Sequence, residues 1–131
     1  MKRLIAALAF IILFSTCQNS KPANTIKAAT VEAISFQTET MFQISCEKFD
    51  TYYADKWRSK TINDKARLDT LNNLLESLRK TDNAYEPDVR VKLLLTNTDG
   101  GIDTVCLDDK ITRYKNASYE TSVELANFVQ Q

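Results

Sequence analysis

The chain has 131 residues, with 17 basic and 17 acidic side chains, no histidine and two glycines. The absence of histidine excludes histidine-dependent catalytic triads and histidine-ligated zinc or copper, and the balanced charge offers no basic excess for a nucleic acid. Gly100 and Gly101 are adjacent, so they cannot supply the spaced glycines of a phosphate-binding or dinucleotide loop. We therefore expect no cofactor, and the balanced charge leads us to expect no nucleic-acid partner.

The N-terminal segment has the pattern of an export signal. Lys2 and Arg3 precede an apolar run over residues 4–14, and Ser15-Thr16-Cys17 follows. The run is shorter than the roughly 20 residues that a membrane-spanning helix needs. The segment resembles the signal of bacterial lipoproteins, in which cleavage occurs just before a cysteine that carries diacylglycerol. This resemblance implies a signal peptide over residues 1–16 and lipidation of Cys17; the alternative is an ordinary secretory signal with a cysteine nearby by chance.

Residues 17–28 predict a flexible tether, because their first part is polar, contains a proline and lacks periodicity. Eight extended residues reach at most about 28 Å, which keeps the following domain close to the bilayer. By resemblance to lipoprotein sorting signals, Gln18 favours the outer membrane, and the absence of acidic residues just after Cys17 favours the periplasmic side. We therefore expect a lipid-anchored protein of the cell envelope, on the outer membrane and facing the periplasm.

Cys46 and Cys106 are the two remaining cysteines. An exported protein folds in an oxidising compartment, which favours a disulfide between them. The bond would close a loop of about 60 residues, for which chain entropy gives about 4 kcal/mol of stabilisation. The alternative is a pair of buried, reduced cysteines that act as small apolar side chains.

The first half of the mature chain predicts two strands, a short helix, a third strand and a longer helix. Alternation over residues 29–37 and 41–45 indicates a β-hairpin, although Phe42, Cys46, Phe49 and Tyr53 also share one helical stripe. A short helix over 46–54 and a strand over 57–62 follow. Leucines at spacings of three and four, after a capping Asn63 or Asp64, predict a helix over 64–80. These leucines are Leu68, Leu71, Leu74, Leu75 and Leu78.

The second half predicts three strands and a final helix. Strands over 89–96 and 102–107 flank the turn sequence of residues 97–101, and a third covers 110–114. Thr121 and Glu124 match a capping box that begins the last helix. The fold class is therefore α+β, a small mostly antiparallel sheet with helices packed on one face, in a single domain over residues 29–131.

Two groups of side chains are candidates for a binding surface. The first is an aromatic group, which forms either a helix face packed against the sheet or a ring-rich binding surface with Tyr52 and Trp57 as its exposed members. Its members are Phe49, Tyr52, Tyr53 and Trp57. Arg90 and Lys92 are expected at an exposed edge of the C-terminal hairpin. The turn aspartates do not match the spacing of a calcium loop, so we expect them to bond turn backbone and form no metal site. They are Asp99, Asp103, Asp108 and Asp109.

No motif in the chain carries catalysis, so we expect a non-enzymatic envelope protein that binds another envelope or secreted protein. It would act as an inhibitor, as an immunity-like protein or as an accessory subunit. The alternative is a small-ligand or glycan binder, which predicts a concave pocket formed by Tyr52, Tyr53 and Trp57. An enzyme that uses carboxylates alone would need two acidic side chains facing each other in a cleft.

Overall fold

The computed structural model describes residues 25–131. The expected signal peptide over residues 1–16, the lipidation site Cys17 and most of the expected tether lie outside the described residues. No helix within the described range is both long enough and apolar enough to cross a membrane.

The fold is α+β, built on a six-stranded antiparallel sheet with the strand order β2-β1-β3-β4-β5-β6. The strands are β1 Ile26–Ala33, β2 Arg58–Ile62, β3 Val91–Asn97, β4 Ile102–Leu107, β5 Ile111–Tyr114 and β6 Ala117–Glu120. The helices are α1 Phe49–Tyr53, α2 Lys65–Glu76 and α3 Val123–Gln130. The mostly antiparallel sheet predicted from the sequence is thus confirmed.

The main core forms where alternate residues of the central strands meet α2 and α3. Leu93 of β3 lies opposite Val31 of β1 and Val105 of β4, and all three pack with Leu71 of α2 and Leu125 of α3. The leucine spacing of α2 supplies this apolar stripe, as expected for an amphipathic helix.

Both longer helices begin at a side-chain cap. The Asp64 carboxylate accepts a hydrogen bond from the Arg67 N–H at 3.0 Å, and the Ser122 hydroxyl accepts one from the Leu125 N–H at 3.1 Å. The cap of α3 is therefore Ser122, one residue later than the capping box at Thr121 predicted.

A second, smaller core joins α1 to the sheet. Phe49 and Tyr53 of α1 pack with Ile44, Val89 and Cys106. Cys106 alternates in β4 with Val105 and Leu107, which belong to the main core, so its side chain points to the opposite face of the sheet.

The predicted hairpin over residues 29–37 and 41–45 is wrong. β1 begins at Ile26, inside the segment predicted as tether, and its neighbours are β2 and β3. Residues 34–45 form turns and bends, including a turn in which the Thr38 N–H donates to the Ser35 carbonyl at 3.0 Å. The partners of β1 are distant in sequence, which local alternation cannot reveal.

β6 is a strand that the sequence analysis missed. It follows β5 through a two-residue turn in which Lys115 has φ 49° and Asn116 has φ 59°. Two positive φ values are those of a type I′ turn, which matches the twist of a tight hairpin. The usual sequence signal for this turn contains glycine, and a Lys-Asn pair does not display it.

Candidate binding surface

Three large apolar side chains are exposed in α1 and in the segment that precedes it. Met41 is 96% exposed, Phe42 is 57% exposed and Tyr52 is 37% exposed. The rings of Phe42 and Tyr52 meet edge to face, with centroids 5.4 Å apart and planes at 74°, a favourable geometry for an aromatic pair. We call Met41, Phe42 and Tyr52 the apolar patch.

Arg90 holds the segment that presents the patch. Its side chain is buried, and its guanidinium donates to the Thr38 carbonyl at 2.9 Å, to the Thr40 hydroxyl at 3.1 Å and to the Asp88 carboxylate at 2.8 Å. The other oxygen of Asp88 accepts the Ile44 N–H at 2.8 Å. The backbone is therefore anchored on both sides of Met41 and Phe42, by charge-assisted hydrogen bonds.

The ionisation of Asp88 is set by this network. Burial alone would raise the pKa of Asp88. Hydrogen bonds from Arg90 and the Ile44 N–H, with the positive charge of Arg90, outweigh that effect and lower the pKa below its ordinary value. The carboxylate is therefore held in the charged form that Arg90 requires.

α1 is fastened to the sheet at two points near the patch. The structure joins Cys46 to Cys106 in a disulfide, with the two Cα atoms 5.8 Å apart. Lys92 of β3 forms an ion pair with Asp50 of α1, at 2.7 Å between Nζ and Oδ2. The disulfide therefore joins the segment just before α1 to the sheet, and the ion pair joins α1 itself, the helix that carries Tyr52.

Of the four rings proposed from the sequence, only Tyr52 is exposed, and Phe49 is fully buried. Tyr53 is buried and donates its hydroxyl to the Val89 carbonyl at 3.1 Å, and burial raises its pKa. Trp57 is half-buried, with its ring centroid 5.7 Å from that of Phe49. Met41 and Phe42 were not predicted as surface residues, because an apolar pair before an alternating segment is normally assigned to the core.

The prediction that Arg90 and Lys92 lie on an exposed strand edge is wrong. β3 is flanked by β1 and β4. Arg90, just before β3, is only 6% exposed, and Lys92 is engaged with Asp50. Neither residue therefore forms an exposed surface at a strand edge.

A groove of about 550 Å³ lies on the same side of the sheet as α1. Its lining contains no aromatic side chain; it includes Gln43, Glu47, Glu86, Thr104, Arg113 and the Cys46–Cys106 disulfide. Arg113 is already engaged by the Ser118 hydroxyl at 2.9 Å and the Asn83 carbonyl at 3.3 Å. The concave aromatic pocket that a glycan binder would use is thus not formed by Tyr52, Tyr53 and Trp57.

Two of the four turn aspartates, Asp99 and Asp108, bond turn backbone as predicted. Asp99 accepts the Gly101 N–H at 2.8 Å, and Asp108 accepts the N–H groups of Lys110 at 2.8 Å and Ile111 at 2.6 Å. Asp103 accepts the Asn97 amide at 2.8 Å, whereas Asp109 is exposed. Within residues 25–131 no three cysteine, aspartate or glutamate side chains are grouped to hold a metal ion.

Comparison of the chain with known protein families, with curated proteins and with solved structures finds no match. The function of the apolar patch is therefore inferred from its own geometry.

Proposed function

We propose that the protein is a lipid-anchored, non-catalytic protein of the bacterial envelope that binds another protein through the apolar patch. The observation that carries this proposal is the joint exposure of Met41, Phe42 and Tyr52. Exposed aromatic and methionine side chains that lie together are enriched at the centres of protein interfaces. Solvent exposure of this kind costs free energy unless a partner covers it.

The support for the patch also favours protein binding. Arg90, Asp88 and the disulfide fix the backbone on which the patch is carried. A surface that is ordered before binding loses less conformational entropy when a partner docks, so more of the contact energy contributes to affinity.

The position of the patch relative to the expected lipid anchor fits this role. The tether would enter the domain at Ile26, the first residue of β1, whereas the patch segment leaves β1 after Ala33. Eight strand residues extend over about 26 Å. The patch segment therefore begins at the end of β1 opposite Ile26, where the tether would enter. Tethering would raise the effective concentration of the patch near a membrane partner.

We also infer that the two longer helices, α2 and α3, cover one face of the sheet and leave the other face to α1. Their buried side chains share the main core with Val31 and Leu93, whereas α1 packs with Cys106, which points the opposite way. This arrangement keeps both longer helices clear of the patch.

The proposal is tested by co-purification of the full-length protein with a tag after Gln131, from gently solubilised membranes. We expect a stoichiometric partner with the wild-type protein and its loss with Phe42→Ala. Tyr85→Ala is the matched control, because Tyr85 is 58% exposed and lies outside the patch. Cys17→Ala tests whether the interaction depends on the anchor. Equal recovery of the partner with Phe42→Ala and Tyr85→Ala would refute the role of the patch.

A further inference from the structure

The two edges of the sheet differ in how they are covered. Outside β6, residues 79–81 run alongside: the Thr81 N–H donates to the Ser118 carbonyl at 2.9 Å, and the Glu120 N–H donates to the Arg79 carbonyl at 2.8 Å. β2, at the other edge, pairs with β1 only. No segment within residues 25–131 pairs with the outer side of β2, so its outward backbone groups face solvent.

The open edge carries a row of positive charges. Lys56, Arg58 and Lys60 occur at alternate positions, and all three are exposed. Since alternate residues of a strand share one face, Arg58 and Lys60 project from the same side of β2. None of the three forms an ion pair with any residue of the described chain.

A second copy of this chain is a poor occupant for this edge. Antiparallel pairing of two β2 strands about Ser59 would place Arg58 of one copy opposite Lys60 of the other. Like charges directly across a strand pair are destabilising, and positive side chains on an edge strand are a known obstacle to self-association. The same charges attract a strand with carboxylates at alternate positions.

We propose that β2 is a docking edge for an extended acidic segment of a partner protein. The segment adds a seventh strand: main-chain hydrogen bonds to β2 provide affinity, and acidic side chains at alternate positions face Arg58 and Lys60, with Lys56 just before the strand. A shift of one residue would turn the acidic side chains to the other face, so the alternation also sets the register. This edge is separate from the apolar patch, and the inference does not rest on the function proposed for the patch.

The probe is a synthetic nine-residue peptide of alternating threonine and glutamate, fluorescently labelled and titrated into the purified full-length protein in detergent. Binding is followed by fluorescence anisotropy. We expect saturable binding that weakens with added salt, because the charges are exposed. A peptide of the same composition with its glutamates grouped at one end is expected to bind more weakly. Absence of binding up to millimolar peptide would overturn the proposal.

Two further arms separate strand addition from general charge attraction. Methylation of alternate backbone nitrogens of the peptide removes main-chain donors and keeps every charge, and we expect it to abolish binding. The double variant Arg58→Glu, Lys60→Glu is expected to bind the acidic peptide at least about tenfold more weakly and to bind an alternating threonine–lysine peptide instead. Lys110→Glu reverses an exposed charge in the β4–β5 turn and should change the affinity for neither the acidic nor the basic peptide. Equal binding of the methylated and unmethylated peptides would also refute strand addition.

Discussion

Replacement of Arg90 by methionine is the most direct test of how the patch segment is held. Methionine keeps much of the length of the side chain and removes its charge and all its donors. The variant loses hydrogen bonds to the carbonyls of Thr38, Asp88 and Val89, to the Thr40 hydroxyl and to the Asp88 carboxylate. Removing one partner of a fully buried ion pair costs about 3–5 kcal/mol.

The expected loss is somewhat smaller because the pair is not fully buried. The side chain of Asp88 is 38% exposed, so water can solvate its carboxylate once Arg90 is gone. We therefore expect Arg90→Met to lower the free energy of unfolding by about 2–4 kcal/mol. This is a large share of the roughly 5–15 kcal/mol of an ordinary domain, yet it leaves most molecules folded.

The assay is urea denaturation of the purified protein, followed by the fluorescence of Trp57. Lys92→Met is the control: it removes the ion pair with Asp50, whose side chain is 54% exposed, and should cost no more than about 1 kcal/mol. A loss below about 0.5 kcal/mol for Arg90→Met, within the range of ordinary surface substitutions, would contradict the reasoning.

The same comparison has a defined pH dependence. The folded-state pKa of Asp88 is lowered from the ordinary 3.8, so its stabilising contribution is present above that value and is lost as the pH falls through the folded pKa. Because Arg90→Met removes much of this contribution, the stability gap between wild type and variant should narrow below about pH 4. A gap that stays constant or widens on acidification would show that the ion pair is not its source.

Three further changes have expected results. Replacing both Cys46 and Cys106 by alanine should lower the free energy of unfolding by about 4 kcal/mol, the chain-entropy value for a loop of this length, as measured in urea; an unchanged midpoint would contradict a bonded pair. Burial and the negative charge of Asp50 raise the pKa of Glu32 in the folded protein, so folding favours the protonated carboxyl. The free energy of unfolding of the wild type therefore falls as the pH rises from 4.5 through the folded pKa. Glu32→Gln should therefore raise the melting temperature at pH 7 but not at pH 4, and equal effects at both pH values would refute this. Asp64→Ala removes the cap of α2 and should cost about 1 kcal/mol, whereas Asp64→Asn should cost less; equal losses would indicate that capping is not the cause.

The parts of the fold that the sequence predicts are those with local signals. Leu68, Leu71 and Leu75 repeat at helical spacing, and all three are buried in α2. The turn of residues 97–101 contains Gly100, whose φ of 86° favours glycine, so the β3–β4 hairpin was predicted in its correct place. In both cases the pattern and the contact that it produces lie within a few residues of each other.

The parts that the sequence does not predict depend on distant partners. Alternation in residues 29–33 indicates a strand, but the register of Val31 with Leu93 joins residues far apart in the chain. The residues of 41–45 do not share one environment: Ile44 is buried, whereas Phe42 is exposed. Arg90 binds Thr40 on one side of Phe42, and Asp88 binds the Ile44 N–H on the other. No residue within 41–45 indicates that Asp88 and Arg90, near the start of β3, form this network.

The candidate site was missed in large part because Arg90 was assigned to the surface, where charged residues are usually found. Its burial has a specific consequence for the patch. An apolar side chain at position 90 would leave the carbonyl of Thr38 and the hydroxyl of Thr40 without their donor, so the segment would lose its fixed path, and Met41 and Phe42 could collapse onto the sheet to escape water. Arg90→Met should therefore reduce recovery of the partner in the co-purification, although Arg90 is too buried to touch that partner, whereas Tyr85→Ala, outside the patch, should not. Normal recovery with Arg90→Met, alongside the expected loss of stability, would show that the buried pair stabilises the fold without positioning the patch.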